Sequence, residues 1–185
     1  MTDPPTCTAP APGAARHHRR PLGAGRRPGW RLPTTASLVM ALAACAPGVS
    51  VAEAPHGADP VCASVVLALP DQLGDLPRLR TTSQASAAWG TPAAHVVLRC
   101  GVEVPGPTTV HCVSVDTPDG PSIDWLALAD DPAAQGATSW TFTTYGRDPA
   151  VEVRVPAAVA SSHSTSFLDQ LGPAIAQVEP TRACL

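Results

Sequence analysis

The chain contains no lysine. Every cation in it is an arginine or a histidine, and the Ser-x-x-Lys arrangement of some acyl-transfer enzymes is excluded outright. No Gly-x-Ser-x-Gly elbow is present either. No pair among its six histidines has the HExxH or HxH spacing of a metal site, and no glycine-rich loop is shaped to cradle a phosphate. Long apolar runs are also missing. A helix needs about 20 apolar residues to span a bilayer. The apolar stretch at 36–44 is far shorter and is preceded by Pro33 and two threonines. These absences leave no readable catalytic residue, no cofactor and no metal site.

What is present first is a division of charge. Six arginines and one acid, Asp3, precede residue 45, for a net charge of +5. Six arginines face fourteen acids from residue 45 onward, for a net charge of −8. The acidic part argues against nucleic acid and against holding an anionic bilayer through a broad basic patch.

The short apolar stretch ends in Leu42-Ala43-Ala44-Cys45. This resembles the lipobox of bacterial lipoproteins, and the resemblance implies cleavage before Cys45 and a lipid on its thiol. Arginines before a short apolar core are what a cleaved signal peptide requires, since they stay on the cytoplasmic side. Residues 1–21, rich in Pro, Ala, Gly and Arg, read as a disordered extension or an over-extended start. Arg26-Arg27 hints at twin-arginine export, but Pro28-Gly29 do not suit that motif. Cysteine parity agrees with a lipid anchor. Cys7 leaves with the leader and Cys45 takes the lipid, so Cys62, Cys100, Cys112 and Cys184 remain, an even set suited to two disulfides in an oxidising compartment. Cleavage after Ala43 would leave Cys45 as an odd thiol.

The chain therefore divides into a leader and signal peptide at 1–44, a lipid anchor and flexible tether at 45–59, and one globular domain at 60–185. Residues 61–69 read as a short helix starting at Asp59 or Pro60, with a buried strand as the competing reading. Residues 95–104 alternate apolar and polar, which marks a half-buried strand. Pro105-Gly106-Pro107 breaks it, and 110–116 resumes extended structure. A hairpin centred on Gly106 would place Cys100 opposite Cys112, although Val113 and Val115 would then face away from Cys112. Further strands are expected at 123–128, 139–145 and 151–155. The last two form a self-consistent hairpin with Phe142 opposite Val153. Ser161 and Ser162 offer helix caps. Phe167, Leu168, Leu171, Ile175 and Val178 follow at helical spacing, with Gly172-Pro173 expected to kink or divide the helix. With Cys100 and Cys112 joined across a hairpin, Cys62 would pair with Cys184 near the two ends of the domain. The expected fold is α+β: a mostly antiparallel sheet of about five strands against N- and C-terminal helices, with two disulfides.

Trp89-Gly90-Thr91-Pro92, Leu98-Arg99-Cys100-Gly101-Val102, Asp124-Trp125, the run from Phe142 to Arg147 and Val151-Glu152-Val153, with cysteines near both ends, resemble the actinobacterial domain-of-unknown-function 3515 family. The resemblance covers roughly 60–184. It implies an exported or membrane-attached protein and carries over no catalytic residue.

Trp89, Trp125 and Trp140 are candidates for stacking on a cell-wall ligand, with core packing as the competing use. Arg99 and Arg147 are candidates for anion binding, with structural ion pairs as the competing use. Asp116, Asp119 and Asp124 surround a turn without the spacing of a calcium loop. The sequence thus points to a lipid-anchored envelope protein on the outer face of the cytoplasmic membrane. It would act as a non-catalytic binding or assembly module, its partner a protein or a cell-wall ligand. The alternative is an envelope hydrolase whose site is assembled only in the fold.

Overall fold

A computed structural model describes residues 48–184, apart from 119, 135–137 and 164. Cys45 and the Leu42-Ala43-Ala44 motif lie outside the described residues. The first helix, α1 (Pro60–Ala68), begins where the sequence places it. Asp59 caps it by accepting from the Val61 amide at 2.8 Å, and Pro60 fills the first turn, where its missing N–H is no loss. Arg78 closes the other end, donating to the carbonyls of Leu69 at 3.1 Å and Val66 at 3.2 Å.

Eight strands follow among the described residues: β1 (Gln72–Leu73), β2 (Leu76–Leu79), β3 (Ser86–Thr91), β4 (Ala94–Val102), β5 (Cys112–Thr117), β6 (Gly120–Ala129), β7 (Trp140–Thr144) and β8 (Ala150–Val155). They form one antiparallel sheet in the order β1-β2-β3-β4-β8-β7-β6-β5. The mainly antiparallel sheet with a few helices is as expected, but it has eight strands rather than about five. β3 carries no alternation in its sequence because Ser86 to Gly90 are all buried, so the mark of a half-buried strand is missing.

The β7–β8 hairpin has the expected register, with Phe142 opposite Val153. The hairpin expected between 96–104 and 110–116 does not form. Both edges of β4 are occupied, one by β3 and the other by β8. The proline-containing segment after β4 instead carries the chain to the far edge, where β5 pairs with β6. There Ser114 and Asp116 are exposed while Val115 packs on the core, so the facing conflict disappears.

The disulfide pairing is corrected with it. Cys62 bonds Cys100 with Cα atoms 5.5 Å apart, and Cys112 bonds Cys184 with Cα atoms 6.1 Å apart. Cys62 lies on the buried side of α1 and Cys100 on the buried face of β4, so packing that helix on the sheet brings the two sulfurs together.

The start of the domain also moves. Residues 48–59, expected as the outer part of a flexible tether, lie on the sheet. Val49 donates to Arg80 O at 2.7 Å and accepts from the Thr82 amide at 3.0 Å, and His56 donates to Gly101 O at 2.8 Å. Gly101, at φ +87°, allows that approach, since a Cβ there would collide with the His56 carbonyl.

After β8 come α2 (Ala157–Ala160), a 3-10 segment (Thr165–Leu171) and α3 (Gly172–Ile175). Ser161 and Ser162 sit at the end of α2 rather than capping the start of a long helix. The helical stretch is divided at Gly172-Pro173 as expected, with the 3-10 segment ending at Leu171 and Pro173 standing in the first turn of α3. The expected apolar set is correct: Phe167, Leu168, Leu171, Ile175 and Val178 are all buried in one core with Cys62, Val65, Trp89, Leu98, Trp125 and Val153. Burying each large side chain contributes about 1.5–3 kcal/mol.

Candidate functional site

The C-terminal tail folds back over the turn between β7 and β8. Gly146 O accepts from the Thr181 amide at 2.6 Å and from Thr181 Oγ1 at 2.8 Å. Gly146 is at φ +71°, and a Cβ on it would run into the Arg182 carbonyl. Arg147 bridges Pro180 through its backbone, while its buried guanidinium donates to Val178 O. Burial pulls the Arg147 pKa below the usual arginine value, opposed by Glu179 and Asp124 nearby. The Cys184 amide donates to Asp124 Oδ2 at 2.8 Å, and the Cys112–Cys184 disulfide completes the clasp.

Beside this clasp lies a cleft of about 690 Å³, lined by residues 108–112, Leu126, Tyr145 and the tail residues Arg182, Ala183 and Cys184. Arg182 extends its guanidinium over the Tyr145 ring, 5.8 Å from the centroid. Among the described residues Arg182 forms no ion pair. A second hollow of about 410 Å³ shares Tyr145 and the tail, and adds Ser114, Ser122, Asp124 and Arg147. The exposed Arg182 shares the lining of the first cleft with Thr108, Thr109 and His111, residue types suited to holding a carboxylate.

The residues singled out in the sequence do not share this place. Trp89 is fully buried and donates its indole N–H to Pro70 O at 3.0 Å, so it is unavailable as a surface contact. Trp125 is fully buried as well, and Trp140 stacks on Phe142 at 6.1 Å between centroids. Arg99 is half-buried against Glu152 at 2.7 Å. Of Trp89, Arg99 and Arg147, only Arg147 borders the site, and it lies buried beneath the tail. Asp116 accepts from Ser122 Oγ at 2.5 Å, and Asp124 holds Cys184. Among the described residues no three metal-ligating side chains come together. His111, Tyr145 and Arg182 carry no local motif. Only knowing that Cys184 joins Cys112 brings them to one edge.

One other group has a chemical pattern. Ser162 Oγ lies 2.8 Å from His163 Nδ1, and His163 Nε2 lies 2.8 Å from Asp75 Oδ1. The Asp75 side chain is 80% exposed, and Ser162 Oγ also reaches the Ala158 carbonyl at 3.1 Å.

Comparison with known families is decisive on one point. The model of a family described as a protein of unknown function (DUF3515) matches residues 32–184. The chain belongs to the DUF3515 family. The DUF3515 match begins before the apolar stretch and therefore takes in Cys45. No curated protein and no solved structure matches the chain. Among the described residues of this DUF3515 protein no helix is long and apolar enough to cross a membrane.

Proposed function

We propose that this DUF3515 protein is a cell-envelope lipoprotein, anchored by Cys45 on the outer face of the cytoplasmic membrane, and that it is a non-catalytic binding module. The observation that carries the binding reading is Arg182 laid over Tyr145 in the cleft, a cation with no acidic partner among the described residues of an acidic domain. Its ligand is a carboxylate-bearing cell-wall fragment. Two disulfides support an oxidising compartment. The test is calorimetric titration of the protein with soluble muropeptides. Binding that weakens at least tenfold in Arg182→Ala supports the reading, since a charge-assisted hydrogen bond contributes about 1.5–3 kcal/mol. Equal affinity of the two proteins, or no binding to either, overturns it.

The Ser162–His163–Asp75 group favours a second reading, a hydrolase. With His163 donating from Nε2 to Asp75, its bare Nδ1 is placed to accept the Ser162 proton. Binding is preferred because Ser162 also satisfies helix carbonyls and Asp75 is open to water. A fluorophosphonate probe separates the two readings: covalent labelling of Ser162 supports the hydrolase, and an unlabelled protein supports the binding module.

A further inference from the structure

The segment that leads into the domain is pinned from its first described residues. Val49 exchanges two backbone hydrogen bonds with Arg80 and Thr82, and the Val51 amide donates to Thr82 Oγ1 at 3.1 Å. This fastening lies just past the end of β2, on the edge of the sheet. Cys45 is four residues before Val49. Four residues of fully extended chain reach at most about 14 Å. A lipid on Cys45 therefore holds this corner within one short reach of the bilayer surface, where a free tether of fifteen residues would have let the domain tumble.

The chemistry of the corner agrees with that position. Arg80 is exposed there and forms no ion pair among the described residues. The acid in the corner, Glu53, accepts from the neutral Gln84 Nε2 at 3.3 Å and is not paired with Arg80, so the corner has no net formal charge and Arg80 is its one cation. A single arginine at an anionic surface contributes about 1 kcal/mol, enough to bias orientation once the lipid supplies the attachment.

The sheet order then sets what faces outward. Between β2 and β6 the order runs β2-β3-β4-β8-β7-β6. Five spacings of about 4.8 Å place the two about 24 Å apart along the sheet. The Arg182 cleft is lined by residues of β5 and β6.

We propose that the corner formed by residues 49–51 and 80–84 is the membrane-facing surface, resting on anionic phospholipid headgroups through Arg80, and that the cleft at the opposite edge is thereby presented away from the bilayer. This rests on the lipid anchor at Cys45.

The test uses the full protein, purified from membranes and reconstituted in phosphatidylglycerol–phosphatidylethanolamine vesicles doped with a nickel-chelating headgroup lipid. Nitroxide labels are placed on Gln84→Cys or Thr109→Cys. Relaxation enhancement by headgroup nickel should be several-fold greater at position 84 than at 109. Arg80→Glu should reduce the enhancement at 84. A twelve-residue Gly-Ser insertion between Pro47 and Gly48, with a reach of about 19 Å, should erase the difference. Acylated protein with equal enhancement at both positions, or more at 109, overturns the orientation alone. A mass spectrum showing no acyl chains on Cys45 overturns the anchor and the orientation together.

Discussion

The backbone amide of Cys184 donates to the carboxylate of Asp124 at 2.8 Å, across sixty residues of sequence. That bond, with the Cys112–Cys184 disulfide, holds the tail against the cleft. Asp124→Ala should therefore cost about 1.5–3 kcal/mol, the value of a hydrogen bond to a charged acceptor. It should also speed reduction of Cys112–Cys184, the half-exposed bridge, and leave the fully buried Cys62–Cys100 unchanged. Thiol trapping during mild reduction measures both rates, and unchanged kinetics at Cys112 would show that Asp124 does not secure the tail.

The two bridges themselves are directly testable. Peptide mapping of the non-reduced protein should recover Cys62 linked to Cys100 and Cys112 linked to Cys184. Recovery of a Cys62–Cys184 peptide would refute this arrangement.

Gly146→Ala should be destabilising by about 1–3 kcal/mol, because the left-handed backbone and the Arg182 carbonyl leave no place for a methyl group. Circular-dichroism melting checks it. A change of less than 0.5 kcal/mol, roughly the scatter of ordinary surface substitutions, would mean the tail does not sit on this turn.

Much of the fold was legible where the physics is local. Asp59-Pro60 starts a helix through capping, and the Phe142–Val153 register follows from alternation and a four-residue turn. The apolar set from Phe167 to Val178 was legible as core, and so was its division at Gly172-Pro173, although the 3-10 winding of the first part was not. What failed was long-range. Cys100 and Cys112 sit symmetrically about Gly106, and nothing in that stretch reveals that β3 and β8 already occupy both edges of β4. The cleft was illegible for the same reason, since Tyr145 and Arg182 meet only after the tail is fastened to β5 and β6.

Trp89 tests the distinction between core and surface. Trp89→Ala should destabilise the protein by about 3–5 kcal/mol, the range for emptying a buried aromatic site. It should leave ligand affinity unchanged in whatever fraction remains folded. Urea unfolding with calorimetry at low temperature measures the two separately. A stable variant with weakened binding would place Trp89 at the ligand instead.

The lipid on Cys45 is the claim on which localisation and orientation both depend, and it is best tested by detergent-phase partitioning of wild type and Cys45→Ala followed by mass determination of the N-terminal peptide. The wild-type protein should enter the detergent phase with Cys45 as an acylated first residue, while Cys45→Ala should stay in the aqueous phase or remain unprocessed. Wild type and Cys45→Ala partitioning alike, with Cys45 unmodified in the wild-type peptide, would contradict the account.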